Sequence, residues 1–162
     1  MKQTTTTLDT RFFRAGVGTV IYNQQNEVFL FKRAKYPVGV WQFQQGGIDL
    51  NESTEETLWR ELREEVGLEK ADFIKVTEMP NWTIYPTADS LADASKSRIG
   101  QAHKWYFLEL KPDVEIDLEK ALDDEASDFR FDTFAGAINE TEELKKHVYR
   151  ELEKFFLEQI VD

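Results

Sequence analysis

The alternation of apolar and polar residues divides this chain into short extended segments around one strongly helical stretch. GVGTVIYN, from Gly16, is rich in β-branched residues and ends at the turn-like NQQN, and EVFLFKRA follows. The two predict a hairpin of strands. KYPVGVWQFQQGG carries proline and glycine and reads as loop, with room for a short strand at VWQF. Residues 53–66 predict the clearest helix: Ser53 stands three before Glu56, and Gly67 sits where a left-handed end belongs. With Leu58 at zero and about 100° per residue, Leu62, Val66 and Trp59 fall within the next ~100° and form a core stripe. Glu61, Glu64 and Glu65 occupy the adjacent arc, so one edge of a packed helix is lined with carboxylates.

Further along, ADFIKVTEM, NWTIY and HKWYFLEL predict strands, and TADSLADASKSRIG a long surface loop. EIDLEKALDDEASD is acidic and loop-like, and FRFDTF reads as a last strand. NETEELKKHVYRELEKFFLEQI predicts an amphipathic helix burying Leu144, Val148, Leu152, Phe155 and Phe156. No repeat or linker divides the chain. The expectation is one α/β layered domain over residues 1–162, with residues 1–10 as a flexible tail.

Composition sharpens the chemistry. Cysteine is absent and only His103 and His147 are present, which excludes thiolate sites and makes a multi-histidine zinc site a poor fit. Any metal would be a hard cation on oxygen ligands, Mg²⁺ or alternatively Mn²⁺. A net charge of −11 disfavours contact along the length of a nucleic acid, though not recognition of a nucleotide or a short RNA end through a cation. The polar start and the lack of a long apolar run lead us to expect a cytoplasmic protein with no membrane contact.

The simplest account of the glutamates is a solvated helix face, with Arg60–Glu64 an ordinary i, i+4 pair. Against it, Glu61 and Glu65 are like charges four apart, and Glu64 adjoins them. At ~5 Å and an effective dielectric near 20, each such repulsion is about 3 kcal/mol if shielded from water. A partly enclosed cluster of this kind calls for a cation.

At this point the sequence resembles a known family. Gly46, Glu52, Arg60, Glu61, Leu62, Glu64, Glu65, Gly67 and Leu68 fill every fixed position of the Nudix box, G-x5-E-x7-R-E-U-x-E-E-x-G-U with U aliphatic. The resemblance implies a Nudix fold, a mixed β-sheet sandwiched between α-helices. It also implies a divalent-metal hydrolase cleaving a nucleoside diphosphate linked to another moiety. Glu61, Glu64 and Glu65 would hold the metal with the carbonyl of Gly46 or Gly47, and one of them, or another acid nearby, would help deprotonate water. Glu52 would pair structurally with Arg60. Glu125 aligns best with a further metal-binding acid, beside Asp123 and Asp124.

WQFQQGGI, IGQAHKWYFLEL and FFRAGVG are similar to the flanks of two Nudix groups. These are the bacterial RNA 5′-pyrophosphohydrolases and the asymmetrically cleaving diadenosine polyphosphate hydrolases. The chain departs from them at Gln44, where they have proline, and at Ala15–Gly16. Loss of proline is expected to free the backbone before the phosphate loop. Arg14, Arg33 and Lys104 are nominated as phosphate contacts, each otherwise a surface or sheet-edge charge. Gln45 and Gln101 are nominated as hydrogen-bonding partners of phosphate or water, each otherwise a structural contact. Tyr85 is the candidate for stacking on a base, Trp41 reads as core, and His103 reads as a surface strand residue rather than a base. The expected activity is pyrophosphate release from 5′-triphosphorylated RNA, or analogous cleavage of diadenosine polyphosphates. Hydrolysis of nucleotide sugars or nucleoside triphosphates is the enzymatic alternative. A nucleotide-sensing Nudix domain without activity is the other, and the intact set of glutamates speaks against it.

Overall fold

A computed structural model describes residues 10–35 and 37–161; the tail expected at the N-terminus lies outside them apart from Thr10. Eight strands form one mixed sheet whose central path runs β3 (Trp41–Gln42), β2 (Val28–Arg33), β1 (Phe12–Tyr22), β7 (Arg98–Leu110), β5 (Phe73–Glu78). Among the described residues only β1 and β7 run parallel; β4 (Gln44–Gly47) joins β1, β6 (Thr83–Pro86) joins β7, and β8 (Ala126–Asp132) joins β2, all antiparallel. Helix α1 (Thr54–Val66) covers one face. Helices α3 (Phe134–Glu140) and α4 (Lys146–Phe155) cover the other, and the short α2 (Ala88–Ala92) lies beside β7. This is the layered α/β/α arrangement expected from the sequence.

Strand β1 is buried on both sides from Gly16 onward, and its period of two sorts the side chains. Val17 and Ile21 join Leu58, Leu62 and Val66 of α1, while Val20 and Tyr22 join Val148, Tyr149 and Leu152 of α4. Gly18 lies beneath the indole of Trp105, where any Cβ would strike the ring. Truncating a fully buried leucine of either core, such as Leu62 or Leu152, would cost about 2–5 kcal/mol.

The predicted hairpin is only partly formed. β1 and β2 pair at Tyr22–Val28, beside the turn, and then part, because β4 takes the same edge of β1 from Gly16 to Thr19. QQGG, expected as loop, is therefore a strand. It is pinned from the far side, since the N–H of Phe43 donates to Tyr149 Oη at 2.9 Å and the two rings pack at 4.6 Å. The long C-terminal helix is also shorter than its pattern suggested. A 3-10 turn (Glu143–Lys145) precedes α4, a π turn (Phe156–Ile160) follows it, and α3 arises where no helix was expected. Tyr149 is fully buried, whereas Leu144 and Phe155 are only partly so. Among the described residues no helix is long and apolar enough to cross a membrane.

Candidate active site

Helix α1 begins and ends as its sequence dictates. Ser53 Oγ accepts the N–H of Glu56 at 3.1 Å, and Gly67 closes the helix at φ 69°, in the left-handed region that glycine enters freely. Between these caps, the 100° step grades the three glutamates by burial. Glu65, nearest the core stripe, is 4% exposed; the Glu61 side chain is 12% exposed and that of Glu64 37%.

Burial drives their ionisation. Glu65 is pushed well above the ordinary carboxylate range, first by loss of solvent and then by a hydrogen bond with Glu61. Glu61 is raised too, again mainly by burial, although Arg60 and the Glu65 bond pull it down. Burial therefore disfavours negative charge on both members of the pair. Glu65 Oε2 also accepts the side-chain N–H of Gln44 at 3.0 Å. Glu61 packs against Gly46, whose missing Cβ leaves the space that the Glu61 carboxylate fills.

Arg60 ties the loop before α1 to the helix. Its Nε and Nη2 donate to the two oxygens of Glu52 at 2.7 and 2.8 Å, and Nη2 also reaches the Gly47 carbonyl at 2.9 Å. Nη1 reaches Glu61 at 2.9 Å and Glu64 at 3.2 Å. The bonds from Arg60 to Glu52, helped by those from the Thr57 hydroxyl and the Asp49 N–H, hold the Glu52 carboxyl down to about 2. The structural Glu52–Arg60 pair is formed, and Arg60 does more than was expected of it. It supplies part of the positive charge that the glutamate cluster had been thought to require from a metal.

Neighbouring side chains of β4 point to opposite faces of the sheet. Gln44 faces α1, whereas Gln45 faces Tyr85 on the α4 side, accepting its hydroxyl at 3.4 Å. Arg14 packs its guanidinium against Gly47, which has no Cβ to exclude it, and Gln101 lies opposite Arg14 in the β1–β7 register. Arg33 stands 3.6 Å from Glu125, which is brought there by the bond from the Ala34 N–H to the Glu125 carbonyl. Among the described residues, the buried Arg33 Nε and Gln45 Nε2 have no hydrogen-bond partner.

Three expectations change. Lys104 is 8% exposed and its ammonium is engaged by the Pro80 carbonyl at 2.9 Å and by Glu78 at 3.1 Å. Tyr85 is 4% exposed, stacked on His103 at 5.8 Å with Lys145 5.2 Å from its ring centre, so no open ring face awaits a base. His103 is not a surface residue: it lies buried beside Gly16, and burial lowers its pKa to about 3, which keeps it neutral. Trp41 is partly buried, under the guanidinium of Arg130 at 4.4 Å from its ring.

Lys145 was not nominated from the sequence. It is 6% exposed, donates to Gln42 Oε1 at 3.3 Å, and has its pKa lowered by burial. The signal was available: Lys145, Val148, Tyr149 and Leu152 keep the i, i+3, i+4, i+7 spacing of a buried stripe. A lysine there is out of place unless it serves something.

The fold and this helix-borne carboxylate cluster define a recognisable class. The NUDIX domain model matches residues 12–153, and the chain belongs to the Nudix family. The RNA pyrophosphohydrolase of Pseudoalteromonas translucida (strain TAC 125) is 38% identical over 152 residues, 92% of this chain and 87% of that protein. The RNA pyrophosphohydrolase of Francisella tularensis subsp. mediasiatica (strain FSC147) is 36% identical over 155 residues, 94% of this chain and 99% of that one. Among solved structures, the E. coli dihydroneopterin triphosphate pyrophosphohydrolase superposes with a TM-score of 0.68 at 15% identity, covering 87% of this chain and 97% of that one. A C. elegans Ap4A hydrolase gives 0.64 at 18% identity, covering 88% and 98%. These structural likenesses speak for the fold.

Nudix hydrolases generally need a divalent metal. The donors here fit such an ion in kind: they are oxygens only, and the Glu61 and Glu65 carboxyls meet each other. They do not yet surround one point. Among the described residues, no group of three or more acidic or histidine side chains is arranged to hold a metal. Arg60 engages Glu64 and one oxygen of Glu61, while Glu125 is turned to Arg33.

Proposed function

We propose that this chain is a divalent-metal-dependent RNA pyrophosphohydrolase that removes pyrophosphate from 5′-triphosphorylated RNA ends and leaves a 5′-monophosphate. The observation that carries the reading is the near full-length similarity to RNA pyrophosphohydrolases together with an unbroken set of box glutamates. Glu61 and Glu65 would hold the metal, Mg²⁺ in the first instance and Mn²⁺ as a substitute, with Glu64, Glu125 and a carbonyl of Gly46 or Gly47 as further oxygens. When bound, the ion would supply water of lowered pKa and offset charge building on the bridging oxygen.

The chain's own residues carry the rest. Gly46 and Gly47 present bare backbone between two charged regions, glutamates on the α1 face and Arg14 on the other. A phosphate chain lying across them would meet Arg14, Arg33 and Lys145, with the Gln45 amide nitrogen and the Gln101 side chain as donors. Lys104 is a weaker candidate, since Glu78 would have to release it. The net charge of −11 would repel the body of an RNA, so recognition would be confined to its first nucleotides in the cytoplasm.

The test measures pyrophosphate release from triphosphorylated RNA, diadenosine tetraphosphate and a nucleotide sugar, each with and without Mg²⁺. RNA should be cleaved fastest, only with metal, and Glu65→Gln should slow it by about 10²–10⁴-fold, the range of a lost catalytic carboxylate. Faster cleavage of either other substrate would overturn the RNA assignment. Binding of nucleotide without any release would make the protein a sensor.

A further inference from the structure

Gln44 stands where the resembling sequences have proline, and loss of that proline had suggested a looser backbone. The structure places the glutamine under tight constraint. It is 1% exposed, paired directly opposite Thr19 in the β1–β4 register, and its neighbour Phe43 is fixed by Tyr149. Its amide is used at both ends. Thr19 Oγ1, itself on a residue 1% exposed, donates to Gln44 Oε1 at 3.1 Å, and Gln44 Nε2 donates to Glu65 Oε2 at 3.0 Å.

The chemistry fixes which way round this amide sits. Towards an ionised Glu65, the form that holds a cation, only the N–H end of the amide can bond, and turning the amide over would set Gln44 Oε1 against Glu65 Oε2. The threonine hydroxyl meets the carbonyl end and anchors the amide from behind, so that both ends of the side chain are bonded. Proline could furnish neither bond. The Glu65 carboxyl is thus held between Gln44 and Glu61.

We propose that Gln44, anchored by Thr19, is a positioning residue that orients Glu65 for a divalent cation shared with Glu61. The inference rests on the metal-dependent reading above. It assigns the glutamine no contact with substrate: it acts through Glu65, as partners behind metal-ligating side chains commonly do, with losses of about 10–100-fold in metal affinity when removed.

The experiment titrates the purified protein with Mn²⁺ and reads the free ion by electron paramagnetic resonance, without substrate. Urea unfolding in the absence of metal monitors the fold. Gln44→Leu keeps the side-chain bulk and removes both bonds; Thr19→Val removes only the anchor and serves if the leucine variant does not fold. Gln44→Leu should weaken Mn²⁺ binding by about tenfold or more, with Thr19→Val weaker in the same direction. In the double variant the threonine change should add nothing, because its effect passes through Gln44. In turnover assays the divalent-ion concentration for half-maximal rate should rise while KM for the phosphate substrate stays put. Folded variants that bind Mn²⁺ within about twofold of the parent would overturn the proposal, as would losses from the two residues that simply add. Failure of the unmodified protein to bind Mn²⁺ would instead overturn the metal-dependent reading itself.

Discussion

Replacing Arg60 by lysine tests how the phosphate loop is tied to α1. The guanidinium directs five hydrogen bonds: two to Glu52, one to the Gly47 carbonyl, and one each to Glu61 and Glu64. Lysine keeps the charge, but its three donors radiate from a single atom and cannot reach the four partners at once. At least two charge-assisted bonds should go. The arginine side chain is 22% exposed and that of Glu52 13%, so water replaces them poorly. At about 1.5 kcal/mol each, the low end for bonds to charged groups, the loss is about 3 kcal/mol. For a domain of this size that is a fall in Tm of roughly 6–12 °C by scanning calorimetry near neutral pH. Acid should erase the difference. A depressed carboxyl contributes fully above its ordinary pKa of 4.5 and loses that contribution as pH falls towards the about 2 that Glu52 has in the fold. The gap between the two proteins should therefore be flat above the first value and close below it. A variant melting within ~2 °C of the parent at neutral pH, or a gap that persists in acid, would refute the reasoning.

Two further outcomes follow from buried bases. Lys145→Met removes an ammonium that is costly to bury, so stability by urea unfolding should hold or rise by about 1 kcal/mol, while KM for triphosphorylated RNA rises tenfold or more; an unchanged KM would detach Lys145 from the substrate. His103 is held neutral, with its pKa lowered from 6.5 to about 3, so the parent should lose stability as pH falls from the first value towards the second. Two units below the ordinary pKa the loss is about 3 kcal/mol. His103→Gln should flatten that limb in melts across the range, and parallel curves for the two proteins would show that the imidazole does not titrate this way.

What the sequence by itself determined is what depends on near neighbours along the chain. Ser53, Gly67 and the 100° step set both ends of α1 and the order in which Glu65, Glu61 and Glu64 are buried. The Nudix box is legible because its parts lie within a single loop and helix. Residues brought in from distant strands were harder to read. A lysine on a strand carries no mark of whether it will turn to phosphate or, as Lys104 does, to Glu78 and Pro80. Tyr85 and His103 looked exposed until α4 and its preceding turn closed over their end of the sheet and set Lys145 beside them. Only the tertiary structure could decide that β4 displaces β2 from the edge of β1 and so aims Gln44 at Glu65 rather than at solvent. Strand register follows from the packing of both sheet faces at once, and no window of the sequence contains both.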